Sequence, residues 1–312
     1  MIHFTRINTK NYAGVQDQIF GLIQMHLPEG SWTDSNEYVE GALNFSIFTN
    51  KKSDVLMSHG VADKNYHFRK HPEDRSLRLN HTQGRTDLLV PGPWLQRRIA
   101  KSKHLNYDET TVHVVGWPRL DPFFSDGVKV TASASDTSRR KRVLWAPTHD
   151  FVRRGDGEER LSSYPAFEPF FEKLSENYDT AVSLHPRNRK DKAPTGMALA
   201  DADVVITDFG TMVYEAVALG KQVIFPTWIV GQKLKKYNKR SAENVIFLEE
   251  IGLHAHSFEE MCEMIDSGTT MDERANAFFE DYLPAATYGN SGKLVAEVLM
   301  RLAQNTHTTT RS

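Results

Sequence analysis

Short apolar segments alternate with polar or helical segments along most of the chain. Each apolar segment is rich in β-branched residues, ends near Gly, Pro or Asn, and is too short for a helix. Continuous apolar runs of this kind are typical of parallel strands buried on both faces. In the first half these segments are NFSIFTN at 44–50, DVLMSHG at 54–60, DLLVPG at 87–92 and VHVVGWP at 112–118.

The second half repeats the alternation and adds clear helices. One helix is predicted around 165–178 and another at 212–219. Gly220 would end the second helix as the residue after its C-cap. The region 257–303 is predicted to be mostly helical. Strands that alternate with helices predict a parallel sheet with right-handed crossovers. The predicted strands are RVLWAPTHD at 142–150, AVSLHP at 181–186, DVVITDF at 203–209 and QVIFPT at 222–227.

Two α/β domains account for both halves of the 312-residue chain. The Ser-rich and basic segment at 123–142 is the best linker candidate. We therefore predict one Rossmann-like domain at 1–135, a second at 136–303 and a disordered tail at 304–312. Because ligands of open α/β sheets bind outside the carboxyl ends of the strands, we expect a site in a cleft between two facing domains.

Composition narrows the class of protein. The chain is 39% hydrophobic and 25% charged with a net charge of −2, so it is globular, and we predict no nucleic-acid partner. The single cysteine, Cys262, excludes an intrachain disulfide and fits a reducing compartment. The N-terminus lacks a secretion-signal pattern, and no apolar run reaches the roughly 18 residues of a membrane span. We expect a cytoplasmic protein, and peripheral contact with the inner face of the membrane stays open.

Histidines follow three of the predicted strands. His59 is followed by Gly60, His149 comes after WAPT, and His185 precedes Pro186, which favours an extended backbone for the residue before it. Histidine titrates near neutral pH and serves as acid, base or cationic phosphate partner. The guanidinium group of Arg187, on the next loop, can form paired hydrogen bonds with phosphate oxygens. We interpret this loop as a phosphate-binding loop; the alternative is a solvated basic turn.

The turn inside ITDFGTMVYEAVALG, residues 206–220, joins a strand to a helix. Unpaired backbone N–H groups and the positive end of the helix dipole at such a turn suit a phosphate. Asp208, Gly210 and Thr211 lie at this turn, and Glu215 comes four positions after Thr211, where a capping box requires three. The alternative is that Thr211 only caps the helix. The histidines of HFRKH at 67–71 lack an acidic partner, and we predict no metal site.

Together these motifs resemble the CDP-glycerol glycerophosphotransferase family, the teichoic acid primases and polymerases. The resemblance covers roughly residues 54–300 and is strongest over 142–230. The motifs that carry it are His59-Gly60, GWPRLD at 116–121, VLWAPTHD at 143–150, SLHPR at 183–187, the stretch 201–225, and YGNSGKLVAEVL at 288–299. Two motifs depart from the family pattern: its paired serines are Gly210-Thr211 here, so one hydroxyl is missing, and HGVADKNY at 59–66 differs from its HG motif, with Lys64 as the candidate for its lysine.

The resemblance implies a fold and an activity. The fold is GT-B, with an acceptor-side domain at 1–135 and a nucleotide-binding domain at 136–303. The activity is attack of an acceptor hydroxyl on the β-phosphate of a CDP-alcohol such as CDP-glycerol, with release of CMP and no cofactor or obligatory metal. The acceptor would be a surface glycan or a lipid-linked intermediate.

The resemblance also implies residue roles. His59 would be the general base and His185 a second catalytic residue. Arg187, Asp208, Gly210 and Thr211 would bind the donor phosphates. Additional candidates are Gly60, Lys64, Arg119, His149 and Glu215. The alternative functions are a nucleotide-sugar-dependent GT-B glycosyltransferase, a UDP-sugar epimerase relative, and a non-catalytic nucleotide-binding protein.

Overall fold

The computed structural model describes residues 1–8, 13–62, 85–102, 107–124, 139–148, 152–153, 159–185, 195–237 and 239–309. The chain divides into two compact units. The first unit contains Met1–Val61, Asn65–Val128 and Glu280–Ser312, and the second contains Ala62–Lys64 and Lys129–Phe279.

The first unit is built on a parallel sheet with strand order β2-β1-β3-β4-β5-β6. Its four interior strands are buried along their whole length; the apolar segments predicted Leu43–Ser46, Val55–Met57 and Asp87–Val90, but not Ile2–Thr5. The strands are β1 (Ile2–Thr5), β2 (Trp32–Ser35), β3 (Leu43–Ser46), β4 (Val55–Met57), β5 (Asp87–Val90) and β6 (Val112–Val114). The helices are α1 (Ala13–Gln24), α2 (Pro93–Ala100) and α3 (Asp121–Phe124), the last preceded by a 3-10 turn at Pro118–Leu120.

The second unit carries another parallel sheet, with strand order β10-β7-β11-β12-β13, and a short antiparallel pair, β8 and β9. The strands are β7 (Arg142–Trp145), β8 (Val152–Arg153), β9 (Glu159–Arg160), β10 (Asp179–Val182), β11 (Val204–Ile206), β12 (Gln222–Pro226) and β13 (Leu253–Ala255). The helices are α4 (Glu168–Asn177), α5 (Thr195–Asp201), α6 (Thr211–Ala218), α7 (Thr227–Leu234), α8 (Ala242–Leu248) and α9 (Phe258–Ser267). Trp145 and Phe225 of this sheet are buried, as is Trp117 of the first unit.

The end of the chain does not follow the predicted domain boundaries. After α10 (Glu273–Tyr282) and a 3-10 turn at Ala285–Thr287, the helix α11 (Ser291–Thr309) packs on α1 and β3 of the first unit. Its buried face consists of Val295, Ala296, Leu299 and Ala303, at helical spacing. The assignment of 280–303 to the second domain was therefore wrong, because this apolar stripe is buried in the first unit. The predicted disordered tail was also wrong for 304–309, which continues α11.

A buried carboxylate anchors the start of α11. Asp121, 7% exposed, accepts hydrogen bonds from the backbone amides of Ser291 (3.0 Å) and Gly292 (2.7 Å). These amides belong to the first turn of α11, which has no helical carbonyl partner for them. The backbone amide of Trp117 donates to Ser291 Oγ at 2.9 Å. GWPRLD and YGNSGK, two separate motifs in the sequence, thus form one contact in the first unit.

Gly116→Ala should destabilise the fold because Gly116 has a φ of +74° and no room for a side chain. A methyl group there would overlap Ser291 Oγ and Thr287 Oγ1. We expect a loss of about 1–2 kcal/mol from the left-handed backbone and about 1–3 kcal/mol more from overpacking. Gly41→Ala is the matched control, since Gly41 has a φ of +78° and open space around it. Urea unfolding of both variants should show the larger loss at Gly116; equal losses would contradict the contact with α11.

Candidate functional site

The strand order of the second unit creates a crossover point between β7 and β11. From β7 the chain moves to β10 on one side of the sheet, and then crosses to β11 on the other side. The helices that follow neighbouring strands at such a point lie on opposite faces and leave a crevice at the carboxyl ends. Thr148 follows β7 and Asp208 follows β11, so the predicted turn lies at this position.

Asp208 connects three segments at the crossover point. Its Oδ2 accepts hydrogen bonds from the amides of Thr148 (3.1 Å) and Ser163 (3.0 Å) and lies 3.2 Å from Ser162 Oγ. Ser162 Oγ also lies 2.9 Å from the carbonyl oxygen of Thr148. The carboxyl group therefore fixes the segment after β7 and the Ser162-Ser163 segment against the end of β11.

The burial of Asp208 corrects its predicted role. The residue is 0% exposed, and Oδ1 has no hydrogen-bond partner among the described residues. Burial raises the pKa of this carboxyl group, against the lowering effect of the hydrogen bonds from Ser163, Thr148 and Ser162. A phosphate has no exposed Asp208 surface to contact, so this side chain organises the turn and the prediction of direct phosphate binding does not fit.

Gly210 and Thr211 form the start of α6. Gly210 is the N-cap residue, with φ 106° and ψ −165°, and Thr211 is the first residue of the helix. Because glycine has no side chain, the N-cap residue supplies no side-chain acceptor to the first amides of α6. Thr211 is therefore not the N-cap residue that the alternative interpretation required. The missing family hydroxyl at position 210 corresponds to a backbone conformation that favours glycine.

The other end of α6 was predicted correctly. Gly220 has a φ of +67°, and its amide donates to the carbonyl of Val217 at 2.9 Å. The amide of Lys221 donates to the carbonyl of Ala216 at 3.0 Å. These two bonds form a Schellman motif, which ends the helix at the predicted glycine.

The remaining candidates of the second unit lie after β10, inside α6 or outside the described residues. His185 follows β10, which pairs with β7, and it is half-buried. Glu215 lies inside α6 and is 5% exposed, so it is a buried residue of the helix rather than a surface ligand. Arg187 and His149 lie outside the described residues.

In the first unit, His59 lies two residues after the end of β4. Its ring stacks on Phe48, with 5.5 Å between ring centroids and an interplanar angle of 24°. The amide of Gly60 donates to Ser58 Oγ at 3.2 Å. His59 is half-buried, whereas Ser58 and Gly60 are buried. Lys64 lies outside the described residues.

Arg119 lies in the 3-10 turn at Pro118–Leu120 and is half-buried. The flanking residues of its motif, Gly116 and Asp121, contact the start of α11. The motif therefore has a structural role at both ends in addition to any contribution of Arg119 to binding.

Sequence reasoning missed the two serines that contact Asp208. Ser162 and Ser163 are buried, and Ser163 Oγ also accepts a hydrogen bond from Trp145 Nε1 at 3.1 Å. The available signal was a pair of adjacent serines shortly before α4, but Asp208 lies 45 residues further along the chain from Ser163.

The described residues contain neither a membrane-spanning helix nor a metal-binding cluster. Over these parts of the chain, no helix is both long and apolar enough to cross a bilayer. Within the same ranges, no group of three or more His, Cys, Asp or Glu side chains is placed to bind a metal ion.

Each unit is an α/β fold with a parallel sheet, as in GT-B proteins. Comparison with solved structures finds the same fold. The wall teichoic acid polymerase TagF aligns over 98% of this chain and 89% of its own, with a TM-score of 0.60 and 14% identity. The S. aureus MnaA–UDP structure aligns over 96% of each chain, with a TM-score of 0.50 and 13% identity. At these identities the comparison shows a shared fold.

Sequence comparison points in the same direction. The chain is 28% identical over 168 residues to the teichoic acid glycerol-phosphate primase of Bacillus subtilis (strain 168). The alignment covers 49% of this chain and 42% of the primase, so the match spans less than half of that relative. No family model matches the sequence. The primase and TagF together support the resemblance to the CDP-glycerol glycerophosphotransferase-like proteins.

Proposed function

We propose that this protein transfers glycerol phosphate, or a related polyol phosphate, from a CDP-alcohol to an acceptor hydroxyl and releases CMP. The observation that carries the proposal is the Gly210-Thr211 turn, where the glycine-capped start of α6 lies at the crossover point of the second sheet. Its sequence context resembles a family of glycerol-phosphate transferases, and the related primase is named for glycerol phosphate.

The proposed chemistry uses the helix start for positioning. Backbone amides at the beginning of α6 and the helix dipole favour the diphosphate of the donor. His185 follows the strand next to β7 and adds a donor or a positive charge. Asp208 supports this arrangement from inside by fixing Thr148 and the Ser162-Ser163 segment. Phosphoryl transfer depends mainly on positioning and charge neutralisation, which these groups supply.

The proposed reaction forms one P–O bond and breaks another. The acceptor oxygen attacks the β-phosphorus, and the bond from that phosphorus to the bridging oxygen breaks. The bridging oxygen and its electron pair leave with CMP. His59 of the first unit takes the proton of the acceptor hydroxyl as general base.

The acceptor in this proposal is a surface glycan or lipid-linked intermediate that carries free hydroxyl groups. The reaction takes place in the cytoplasm, in keeping with the single cysteine, or at the inner face of the membrane. Peripheral contact with the membrane would give access to a lipid-linked acceptor.

A ligand panel tests the donor class. We expect CDP-glycerol and CDP to raise the melting temperature, because a ligand that binds the native state stabilises it by mass action. Gly210→Val should reduce the shift, because a β-branched residue disfavours the left-handed backbone and places bulk at the helix start. Gly220→Ala, at the other end of α6, is the control. A larger shift with UDP or UDP-sugars than with CDP ligands would favour the sugar-nucleotide alternative instead.

A further inference from the structure

The loop that carries His59 receives a hydrogen bond from a residue far along the chain. The hydroxyl of Tyr282 donates to the carbonyl oxygen of Val61 at 2.9 Å, across 221 residues of sequence. Tyr282 is 0% exposed, and Val61 is 1% exposed. Val61 comes two residues after His59, so this bond acts on the backbone of the same short loop.

The segment that supplies Tyr282 is itself closely packed. Its ring lies against Trp94 at the start of α2, with 5.6 Å between ring centroids. The neighbouring residue, Asp281, forms an ion pair with Arg97 of α2. A methyl group at Gly92 would overlap the carbonyl of Tyr282, so the two backbones are in direct contact. These contacts fix the Tyr282 side chain relative to α2 independently of its hydrogen bond to Val61.

The His59 loop is therefore restrained on both sides of the imidazole. On one side, the His59 ring stacks on Phe48, which follows β3. On the other side, the backbone at Val61 accepts the bond from Tyr282. A general base must lie within hydrogen-bond reach of the proton that it removes, and a displacement of about 1 Å costs on the order of 100-fold in rate. A buried bond two residues away is well placed to prevent such a displacement.

We propose that Tyr282 is a positioning residue for the transfer reaction, and that its hydroxyl orients His59 through the carbonyl group of Val61. This inference rests on the proposed function, since it takes His59 as the general base. Tyr282 does not contact the reacting atoms in this account. Its effect is on the orientation of the imidazole and not on donor binding.

Tyr282→Phe tests the proposal because it removes the hydroxyl and keeps the ring against Trp94. We expect kcat for CMP release from CDP-glycerol to fall about 10- to 100-fold, while KM for CDP-glycerol changes less than about twofold. Tyr288→Phe is the matched control: it also removes a hydroxyl bonded to a backbone carbonyl, that of Leu283 at 3.1 Å, within its own segment. Its kcat should stay within about twofold of the wild type. Equal kcat values for Tyr282→Phe and the wild type would overturn the proposal.

A second readout does not depend on turnover. The imidazole C–H resonances of His59, assigned by their loss in His59→Ala, should shift in Tyr282→Phe and stay in place in Tyr288→Phe. If the wild type releases no CMP from any CDP-alcohol, the proposed function fails, and these resonances still test the contact. Unmoved resonances in Tyr282→Phe would overturn the positioning role even if the transfer reaction is confirmed.

A further variant keeps the test decisive if Tyr282→Phe does not fold. Arg97→Ala removes the ion pair with Asp281 and loosens the same segment from α2, leaving the Tyr282 side chain unchanged. A lower kcat with KM unchanged, together with shifted His59 resonances, supports the proposal. A wild-type kcat together with unshifted resonances would overturn it.

Discussion

His59→Ala should lower CMP release from CDP-glycerol by a factor of about 10²–10⁴, the usual contribution of a general base. Alanine has no group that accepts the proton of the acceptor hydroxyl. The fold should remain intact, because the half-buried ring stacks on Phe48 at the end of the sheet and lies outside the strand core. The measurements are steady-state release of CMP and the melting temperature of the variant.

His256→Ala is the control for this change. Its side chain is 52% exposed, lies near Glu250 and follows β13, which is separated from β11 by β12, so the rate should match the wild type. A normal rate in His59→Ala would show that another group removes the proton. A large fall in melting temperature would instead assign His59 a structural role.

Asp208→Ala should lower the free energy of unfolding by about 3 kcal/mol. The substitution leaves the buried amides of Thr148 and Ser163 without their acceptor, and an unsatisfied buried group costs about 1–3 kcal/mol. Asp208→Asn should lose less stability than Asp208→Ala at pH 7, because the amide oxygen takes over the role of Oδ2, whereas the amide NH2 at the position of Oδ1 has no acceptor among the described residues. Urea unfolding of the two variants distinguishes these outcomes.

The pH dependence follows from the raised pKa of Asp208. At low pH the carboxyl group is protonated in both the folded and the unfolded protein. Folding then buries no charge at this position. As the pH rises above the ordinary value of about 4, the unfolded state releases its proton first. The favourable contribution of the protonated group is therefore lost as the pH rises through the raised folded-state pKa. The stability of Asp208→Asn relative to the wild type should increase with pH over this window.

Asp203→Asn serves as the comparison, because its stability relative to the wild type should change with pH in the opposite direction. Burial alone would raise the pKa of Asp203, but hydrogen bonds from Arg139 and the Arg142 amide outweigh it and lower the pKa. This carboxylate stabilises the fold above its unfolded pKa, and the contribution is lost as the pH falls through the lowered value. Asp203→Asn should therefore be most destabilising near neutral pH. Identical slopes for the two variants would contradict the assigned environments.

The apolar strands were predictable because both faces of a central parallel strand are buried. β4, β5, β7 and β11 therefore appear as short continuous apolar runs. β1 lacks this signal because it contains His3, which is buried with Nδ1 2.9 Å from Thr33 Oγ1 and Nε2 3.0 Å from the carbonyl oxygen of Glu37. A buried histidine with both nitrogens in hydrogen bonds looks like a polar surface residue in the sequence.

The return of the chain to the first unit was not predictable from local pattern. Asp121 and the α11 amides of Ser291 and Gly292 are separated by about 170 residues, and only the folded chain brings them together. The apolar stripe of α11 predicts a helix with one buried face, but it does not say which sheet that face covers.

The strand-end positions of the candidate residues were predictable, but the contacts of their side chains were not. Parallel strands end on one edge of the sheet, so His185 and the Asp208–Thr211 turn were assigned to strand ends correctly. The role of Asp208 depends on its burial, and burial depends on Ser162 and Ser163, which the sequence places far from it. Tyr282 had no sequence signal, because its contact with Val61 is made by the folded first unit.

The identity of the nucleotide product tests the central claim most directly. The protein is incubated with CDP-glycerol and a lipid-linked or polyol-phosphate acceptor, with UDP-sugars in parallel, and the products are identified by mass spectrometry. Attack at the β-phosphorus predicts CMP together with an acceptor that has gained one glycerol phosphate. Release of CDP, or conversion of a UDP-sugar while CDP-glycerol remains intact, would contradict the proposed transfer.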